Sequence, residues 1–486
     1  MESELVSKCA AQQLMKRTRD SVIVAGNLPS KEEPLFAVPG VVSLFSPSGS
    51  KLALADPHFL KVVDTASFAE IMSVRHQGVQ LLHFAPSESF LLTWKKQQDS
   101  EPNLVVWDLN SATPVMQFSQ KKFTKDNWPT VVFSKDSSLC FRQVGSELHQ
   151  FQVGNSTPLA TLNQKRVTSY SVSPTMPWII TFTAEFKSEP ASIALFQYSE
   201  GLNLVQELSI EKGTEAGVHW NRDGTKAIVW SQTDVDTTGR SYYGEHKLYI
   251  VSGENSGKQV RTEDGPVHDV KWSPEMDEFI VISGFMPAVS CVFRPNGSKK
   301  QVIAKHHRNT VRWNPFGNLV LIGGFGNLQG DIEVYEKSSM NIVGNCRANS
   351  CVACEWSPCG KMFVTATLCP RMRVDNGYAI YYYTGEKLIT VNAENELYDI
   401  AWKPRPGEFQ VAPLTPRKIE NKPEKKAYRV PGSSSNFAQV FKAAKEGKPS
   451  VPHKAVPPPP PKDDYIPGMP EPQKKKRKKK KKNAAQ

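Results

Sequence analysis

The stretch Val311-Arg312-Trp313-Asn314-Pro315-Phe316-Gly317, followed by Leu319-Val320-Leu321-Ile322 and, after a glycine-rich connection, Asp331-Ile332-Glu333-Val334-Tyr335, decides the fold. The runs are short and alternate with a period of two, the signature of strands. Between the first and second runs Pro315 presets φ and Gly317 supplies the positive φ that closes a tight turn. The same order appears at Lys226 to Val251, Glu278 to Phe293 and Lys361 to Tyr383.

Working outward, an aromatic or aliphatic residue followed by a tight-turn tetrad recurs along the chain. The copies begin at Phe45, Phe84, Phe133, Val172, Trp220, Trp272, Trp313, Trp356 and Trp402, in steps of roughly 39 to 52 residues, the period of a four-stranded propeller blade. One blade cannot bury both of its faces alone, so only a closed ring protects its apolar residues. The prediction is an all-β fold, a nine-bladed WD-type β-propeller over residues 1–411, followed by a largely disordered Pro/Lys-rich tail over 412–486. The last repeat, from Leu397 to Val411, shows two strands before the composition changes, whereas Ser21–Ala25 and Pro34–Val38 precede the first tetrad and have no repeat of their own. Residues 20–39 are therefore expected to add two strands to the ninth blade and close the ring.

The net charge of +12 is unevenly distributed. Residues 405–486 hold 21 of the 60 basic and 7 of the 48 acidic residues, so the tail is cationic and the body nearly neutral. An electrostatic hook on a neutral fold attracts polyanions differently from a basic fold. The hook is the run Lys474, Lys475, Lys476, Arg477, Lys478, Lys479, Lys480, Lys481 and Lys482. It suits either salt-dependent binding to phosphates or a nuclear address. Within the tail, Phe437, Val440, Phe441 and Ala444 stand at helical spacing, which predicts a short helix over 436–446 that is either transient or partner-binding. No apolar run reaches membrane-spanning length, and Met1-Glu2-Ser3-Glu4 carries acids where a signal peptide carries cations, so a soluble protein without membrane contact is expected. Eight cysteines without regular pairing fit reduced thiols in a cytosolic or nuclear compartment.

Motifs of catalysis fail on context. Gly324-Phe325-Gly326 with Gly330 is followed by a strand rather than a helix, which argues for a blade loop and against a phosphate cradle. Cys351 and Cys354, with Cys359 and Cys369 downstream, have zinc-site spacing. On a strand from Cys351 to Trp356, however, the first two would point to opposite faces. Asp234 and Asp236 open a segment resembling a calcium loop that lacks its closing Glu. The pair His306-His307 reads as a surface turn without a nearby carboxylate. The expectation is binding without an enzyme's chemistry, with no cofactor and no metal.

The tetrads join first to second strands and so share one face of the ring. The loops from second to third strand share the other, and they are long at Lys95 to Pro102, Ala184 to Pro190, Ser231 to Glu245, Gly284 to Pro287, Gly323 to Gly330 and Thr367 to Gly377. Repeat proteins commonly bind through such loops. The side chains offered include Arg240, Tyr242, Tyr243, Phe285, Met286, Phe325, Arg371 and Arg373, planar and cationic groups suited to RNA stacking or to protein hot spots, unless the aromatics pack beneath their own loops.

These loops carry a resemblance. The segments Thr233-Asp234-Val235-Asp236 through Gly239, Ser241-Tyr242-Tyr243-Gly244-Glu245, Gly284-Phe285-Met286-Pro287-Ala288, Gly324-Phe325-Gly326-Asn327-Leu328, and Pro370-Arg371-Met372-Arg373-Val374 with Asn376-Gly377-Tyr378 resemble signature segments of the eukaryotic translation initiation factor 2A family. They bring Asp234, Asp236, Asn327 and Asn376 into the candidate contact set. Ala427-Tyr428-Arg429 resembles a further short motif of that family. The resemblance covers about residues 40 to 405. It implies a nine-bladed propeller and a non-GTPase factor that binds the small (40S) ribosomal subunit and helps deliver initiator methionyl-tRNA. It also implies contacts with mRNA and other initiation factors through a C-terminal extension, from which the Pro- and Lys-rich tail here departs. A cytoplasmic monomer is expected, partly nuclear if the lysine run is an address. Two alternatives are a scaffold in ribosome assembly and a ribosome-binding scaffold like the nine-bladed propeller component of initiation factor 3. The latter carries an N-terminal RNA-recognition domain, whereas fewer than forty residues precede the first repeat here.

Overall fold

A computed structural model describes residues 9–97, 101–120, 128–162, 166–233, 244–254, 257–411 and 413–414. The chain divides after Ile419, and the unit Glu420–Gln486, which holds the expected helix over 436–446 and the lysine run, lies outside the described residues.

Nine antiparallel four-stranded sheets make up the described fold. Eight use consecutive strands, as in the first blade, Val42–Phe45, Lys51–Ala55, Phe59–Asp64 and Glu70–Arg75. First strands of successive blades meet one another, so they surround the axis. Second and third strands are buried on both faces, as at Phe279–Ser283, Leu319–Gly323 and Gly377–Tyr382, which is why they read as unbroken apolar runs. Fourth strands such as Lys299–His306 are largely exposed at the rim.

The ninth blade closes the ring, with a different division of strands from the one expected. Leu397–Trp402 supplies only the innermost strand, and the chain's start supplies the other three, Gln12–Thr18, Ser21–Leu28 and Glu33–Pro39. The register is Leu14 opposite Trp402, Met15 opposite Ala401 and Lys16 opposite Ile400. The strand Gln12–Thr18 escapes sequence reading because Lys16 and Arg17 interrupt its apolar pattern. Residues 403–411 form no strand; they leave along the tetrad face, where Arg405 Nη1 donates to Ala11 O at 2.9 Å and the guanidinium stacks over Phe409.

The tetrads also join neighbouring blades. Ser48 N–H donates to Glu88 Oε1 at 2.5 Å, and the Ser48 and Ser50 hydroxyls donate to Oε2 at 2.9 and 3.0 Å, tying blade 1 to blade 2. Ser173 Oγ donates to Gly224 O at 2.9 Å, and Asn314 Nδ2 to Gly360 O at 3.3 Å. The residue preceding the tetrad matters as well. In blades 6 to 9 its indole N–H donates to a backbone carbonyl of the preceding innermost strand: Trp272 to His219 O at 2.8 Å, Trp313 to Lys271 O at 3.3 Å, Trp356 to Arg312 O at 2.9 Å and Trp402 to Glu355 O at 3.3 Å. Phe45, Phe84 and Phe133 fill the same place in blades 1 to 3 without a donor. Trp356→Phe should therefore keep the packing, orphan the Arg312 carbonyl and cost about 1 kcal/mol in denaturant unfolding; an unchanged midpoint and slope would show that the bond contributes nothing net.

Blades 6 and 7 are clamped by a carboxylate. Glu278, buried beside its tetrad, accepts from Lys300 at the outer strand of its own blade and from Lys337 Nζ of blade 7 at 2.5 Å. Burial pulls its pKa upward, but the two ammonium groups outweigh it and hold the carboxyl below its ordinary value. A depressed carboxyl stabilises the fold above its unfolded value and loses that contribution as pH falls through the folded one. Glu278→Gln should cost about 3 kcal/mol at neutral pH, because Lys337 stays buried without its counter-charge. The melting difference from the parent should shrink below a pH of about 4; a difference independent of pH would leave packing, not charge, as the cause.

Candidate nucleic-acid and protein interface

The turns from first to second and third to fourth strand lie on the tetrad face; the loops from second to third strand and the connections between blades lie on the opposite face. The candidate contact residues of the ring all belong to loops of this second face. Asp234, Asp236, Arg240, Tyr242 and Tyr243 fall in 234–243, outside the described residues. The base of their loop is described and pinned, with Thr233 N–H donating to Glu245 O and Glu245 N–H donating to Thr233 Oγ1, both at 3.0 Å.

In blade 6, Phe285 and Met286 stand at a loop tip, 47% and 36% exposed. The tip is braced from below: His268 Nε2 lies 2.9 Å from Gly284 O, and Gly265, at φ +118°, approaches so closely that a Cβ there would stand 2.9 Å from the Phe285 nitrogen.

In blade 7, Phe325 is placed otherwise than the sequence suggested. It is only 7% exposed and packs in the core cluster with Cys351, Cys354 and Trp356, its ring filling the space a Cβ on Gly323 would need. Asn309 holds it there, donating from Nδ2 to Phe325 O at 3.0 Å and accepting the Phe325 N–H at 2.9 Å. Phe325 is thus a plug beneath its loop and is not presented for stacking. Asn327, on the same loop, is exposed.

In blade 8, Arg371 and Arg373 are exposed, and Val374 between them and the loop's end is 64% exposed. Arg371 reaches across to blade 7, its Nη2 lying 3.4 Å from Asn327 Oδ1. Asn376 acts on the chain itself. Its Nδ2 donates to Met372 O at 2.8 Å and its Oδ1 accepts from Leu397 N–H at 3.3 Å, stapling the loop to the innermost strand of blade 9. It is a positioning residue, not a presented one.

Closure adds cations that sequence reading missed. The turn after Gln12–Thr18 reaches the loop face with Arg19 exposed, and Arg17 beside it donates to Val41 O at 3.1 Å and lies over the Tyr398 ring. Blades 8 and 9 therefore present Arg371, Arg373 and Arg19 on the same face that carries the apolar tip of blade 6. That Arg19 shares this face depends on which strand the chain's start occupies, which no local pattern reveals.

Two further sequence readings are corrected. His306 lies at the end of a strand and its Nε2 is 3.7 Å from Glu333, a carboxylate that also faces Arg308 at 3.5 Å. Cys351 precedes the strand Ala353–Trp356 and packs in the same core cluster as Cys354, so the two do not lie on opposite faces of one strand. Burial pushes the Cys351 thiol up to about 11 and that of Cys354 well above its ordinary value, which disfavours thiolate ligands. Cys359 belongs to a tetrad and Cys369 to the loop face, at opposite ends of the blade. Among the described residues no three His, Cys, Asp or Glu side chains converge as a metal set, and no helix is long and apolar enough to cross a membrane.

The nine sheets define a closed nine-bladed β-propeller. The sequence pattern of the family described as eukaryotic translation initiation factor eIF2A matches residues 209–400. The chain is 32% identical over 400 residues to eukaryotic translation initiation factor 2A of Dictyostelium discoideum, covering 80% of this chain and 66% of that protein. It is 30% identical to the factor of the same name from Schizosaccharomyces pombe, covering 83% and 74%. It is also similar to a solved structure described as a eukaryotic initiation factor, with a TM-score of 0.73 and 27% identity, covering 82% of this chain and all of the other. The chain belongs to the eukaryotic translation initiation factor 2A family. It spans about two thirds of the length of these curated relatives. Similarity to a component of eukaryotic translation initiation factor 3 from Xenopus laevis is lower, 25% identity over 53% of that protein.

Proposed function

We propose that this translation initiation factor binds the small (40S) ribosomal subunit through its loop face and promotes GTP-independent delivery of initiator methionyl-tRNA, acting by binding and without covalent catalysis. The observation that carries the reading is the single face on which exposed Phe285 and Met286 accompany Arg371, Arg373 and Arg19. Aromatic and guanidinium planes stack on unpaired bases, and arginines neutralise phosphates. The names of the relatives support the translational setting. In this proposal Lys474–Lys482 raises RNA affinity without sequence preference, the tail reaches mRNA or other initiation factors, and the protein works as a cytoplasmic monomer.

Sedimentation of the full-length protein with purified small subunits and initiator methionyl-tRNA tests this. The expected result is co-migration with the subunit and tRNA retention that is unchanged when GTP is withheld. Absence from the subunit peak at near-physiological salt, or a strict GTP requirement, would sink the proposal.

A further inference from the structure

The tetrad face carries a feature the proposed function does not use. At its centre a cup of about 920 Å³ opens at the ring axis, walled by tetrad prolines, by Trp272, Trp356 and Trp402, and by Phe409 of the segment that leaves blade 9. The indole N–H groups are already given to neighbouring carbonyls, so the rings are fixed and offer only apolar surface. Rigid aromatic walls need little ordering when a ligand enters.

Four charged residues line the cup, Glu355, Glu275, Arg222 and Arg405, and Glu355 is the one on an innermost strand. Glu355, on the innermost strand of blade 8, lines the cup and is exposed to it. Desolvation by the surrounding protein first, and then the charge of Asp399, push its carboxyl up to about 7, against the opposing effects of a Trp402 backbone hydrogen bond and of Arg312. Arg312 does not neutralise it, being held by Asp269 at 3.2 Å. Nor does Arg405 at the rim, which is ion-paired with Glu408 and stacked on Phe409. Among the described residues Glu355 forms no ion pair, and a carboxylate flanked by apolar rings gains from a cation brought to it.

The complementary group is a cation with a flat, weakly hydrated face and an apolar stem, which describes arginine better than lysine. RNA phosphates would meet Glu355 and Glu275, while of the two cations in the lining Arg405 is already paired with Glu408 and Arg222 alone stands against them. We propose that the cup is a peptide-docking site that takes an arginine side chain from an extended basic segment of a partner protein, with Glu355 as its counter-charge and the tryptophans as its walls.

The test uses full-length protein at a pH of about 8, where Glu355 is ionised, and a fluorescein-labelled Ala-Ala-Arg-Ala-Ala peptide read by anisotropy. The expected result is saturable binding, at least about tenfold weaker when citrulline replaces arginine and equally weak for Glu355→Gln with the arginine peptide, as for loss of a charge-assisted bond. Glu275→Gln should leave affinity within about twofold, and both variants should melt with the parent. Equal binding of the arginine and citrulline peptides, an unaffected Glu355→Gln variant, equal losses in the two variants, or displacement of the peptide by single-stranded RNA would each overturn the assignment. Concentration-dependent self-association that blocks the peptide would assign the cup to a second copy of the chain and overturn it equally.

Discussion

A chain lacking residues 1–39 should fail to show the cooperative thermal transition of the intact protein, because the deletion removes three of the four strands of the ninth blade. The loss is not confined to that blade. Leu14, Met15, Val22, Val24, Ala25 and Leu28 are all fully or almost fully buried, and Leu14, Ala25 and Leu28 belong to the core cluster shared with blades 7 and 8. Burying a large aliphatic side chain contributes about 1.5–3 kcal/mol, and a domain's whole net stability is about 5–15 kcal/mol. Deletion also exposes the edge of Leu397–Trp402, unpaired backbone that invites aggregation, and uncovers the face of blade 1 on which Met15, Val22 and Val24 pack. Circular dichroism melts of the two chains provide the measurement. A shortened chain that melts at the parent's temperature would show that the ring does not depend on closure by its start.

Replacing Arg371 and Arg373 by Glu should weaken small-subunit binding by about 100-fold while leaving the melt within a degree or two, and should flatten the dependence of affinity on salt by roughly two phosphate contacts. Arg373 is exposed, and the bond from Arg371 to Asn327 is long at 3.4 Å, so little folding energy is at stake. Charge reversal adds repulsion from phosphate to the loss of attraction, which is why the effect should exceed that of alanine substitution. Filter binding or sedimentation over a salt series reads both quantities. Unchanged affinity and slope would remove blade 8 from the proposed binding surface.

Much of the fold was legible because its determinants are local. Period-two alternation, a proline that presets φ and a glycine that takes the left-handed turn act within a few residues, so nine blades and two distinct faces follow from counting and spacing. Phe325 shows where such reading stops. An aromatic in a glycine-rich loop has the same local pattern whether it stacks on a ligand or plugs the core, and only the packing of Gly323 and Asn309 around it decided for the plug. Asn376 likewise looks like an offered amide, yet its hydrogen bonds close onto Met372 and Leu397.

By itself the sequence determined the all-β class, the repeat number, the face that carries the long loops and the cationic character of the tail. These depend on backbone preferences and charge, which are properties of short segments. The tertiary structure alone decided that the chain's start supplies three strands to the last blade, that Arg19 thereby joins Arg371 and Arg373, and that Glu355 faces a cup walled by tryptophans. Each of these sets partners hundreds of residues apart or on different blades, and no local preference encodes contacts that exist only once the ring has closed.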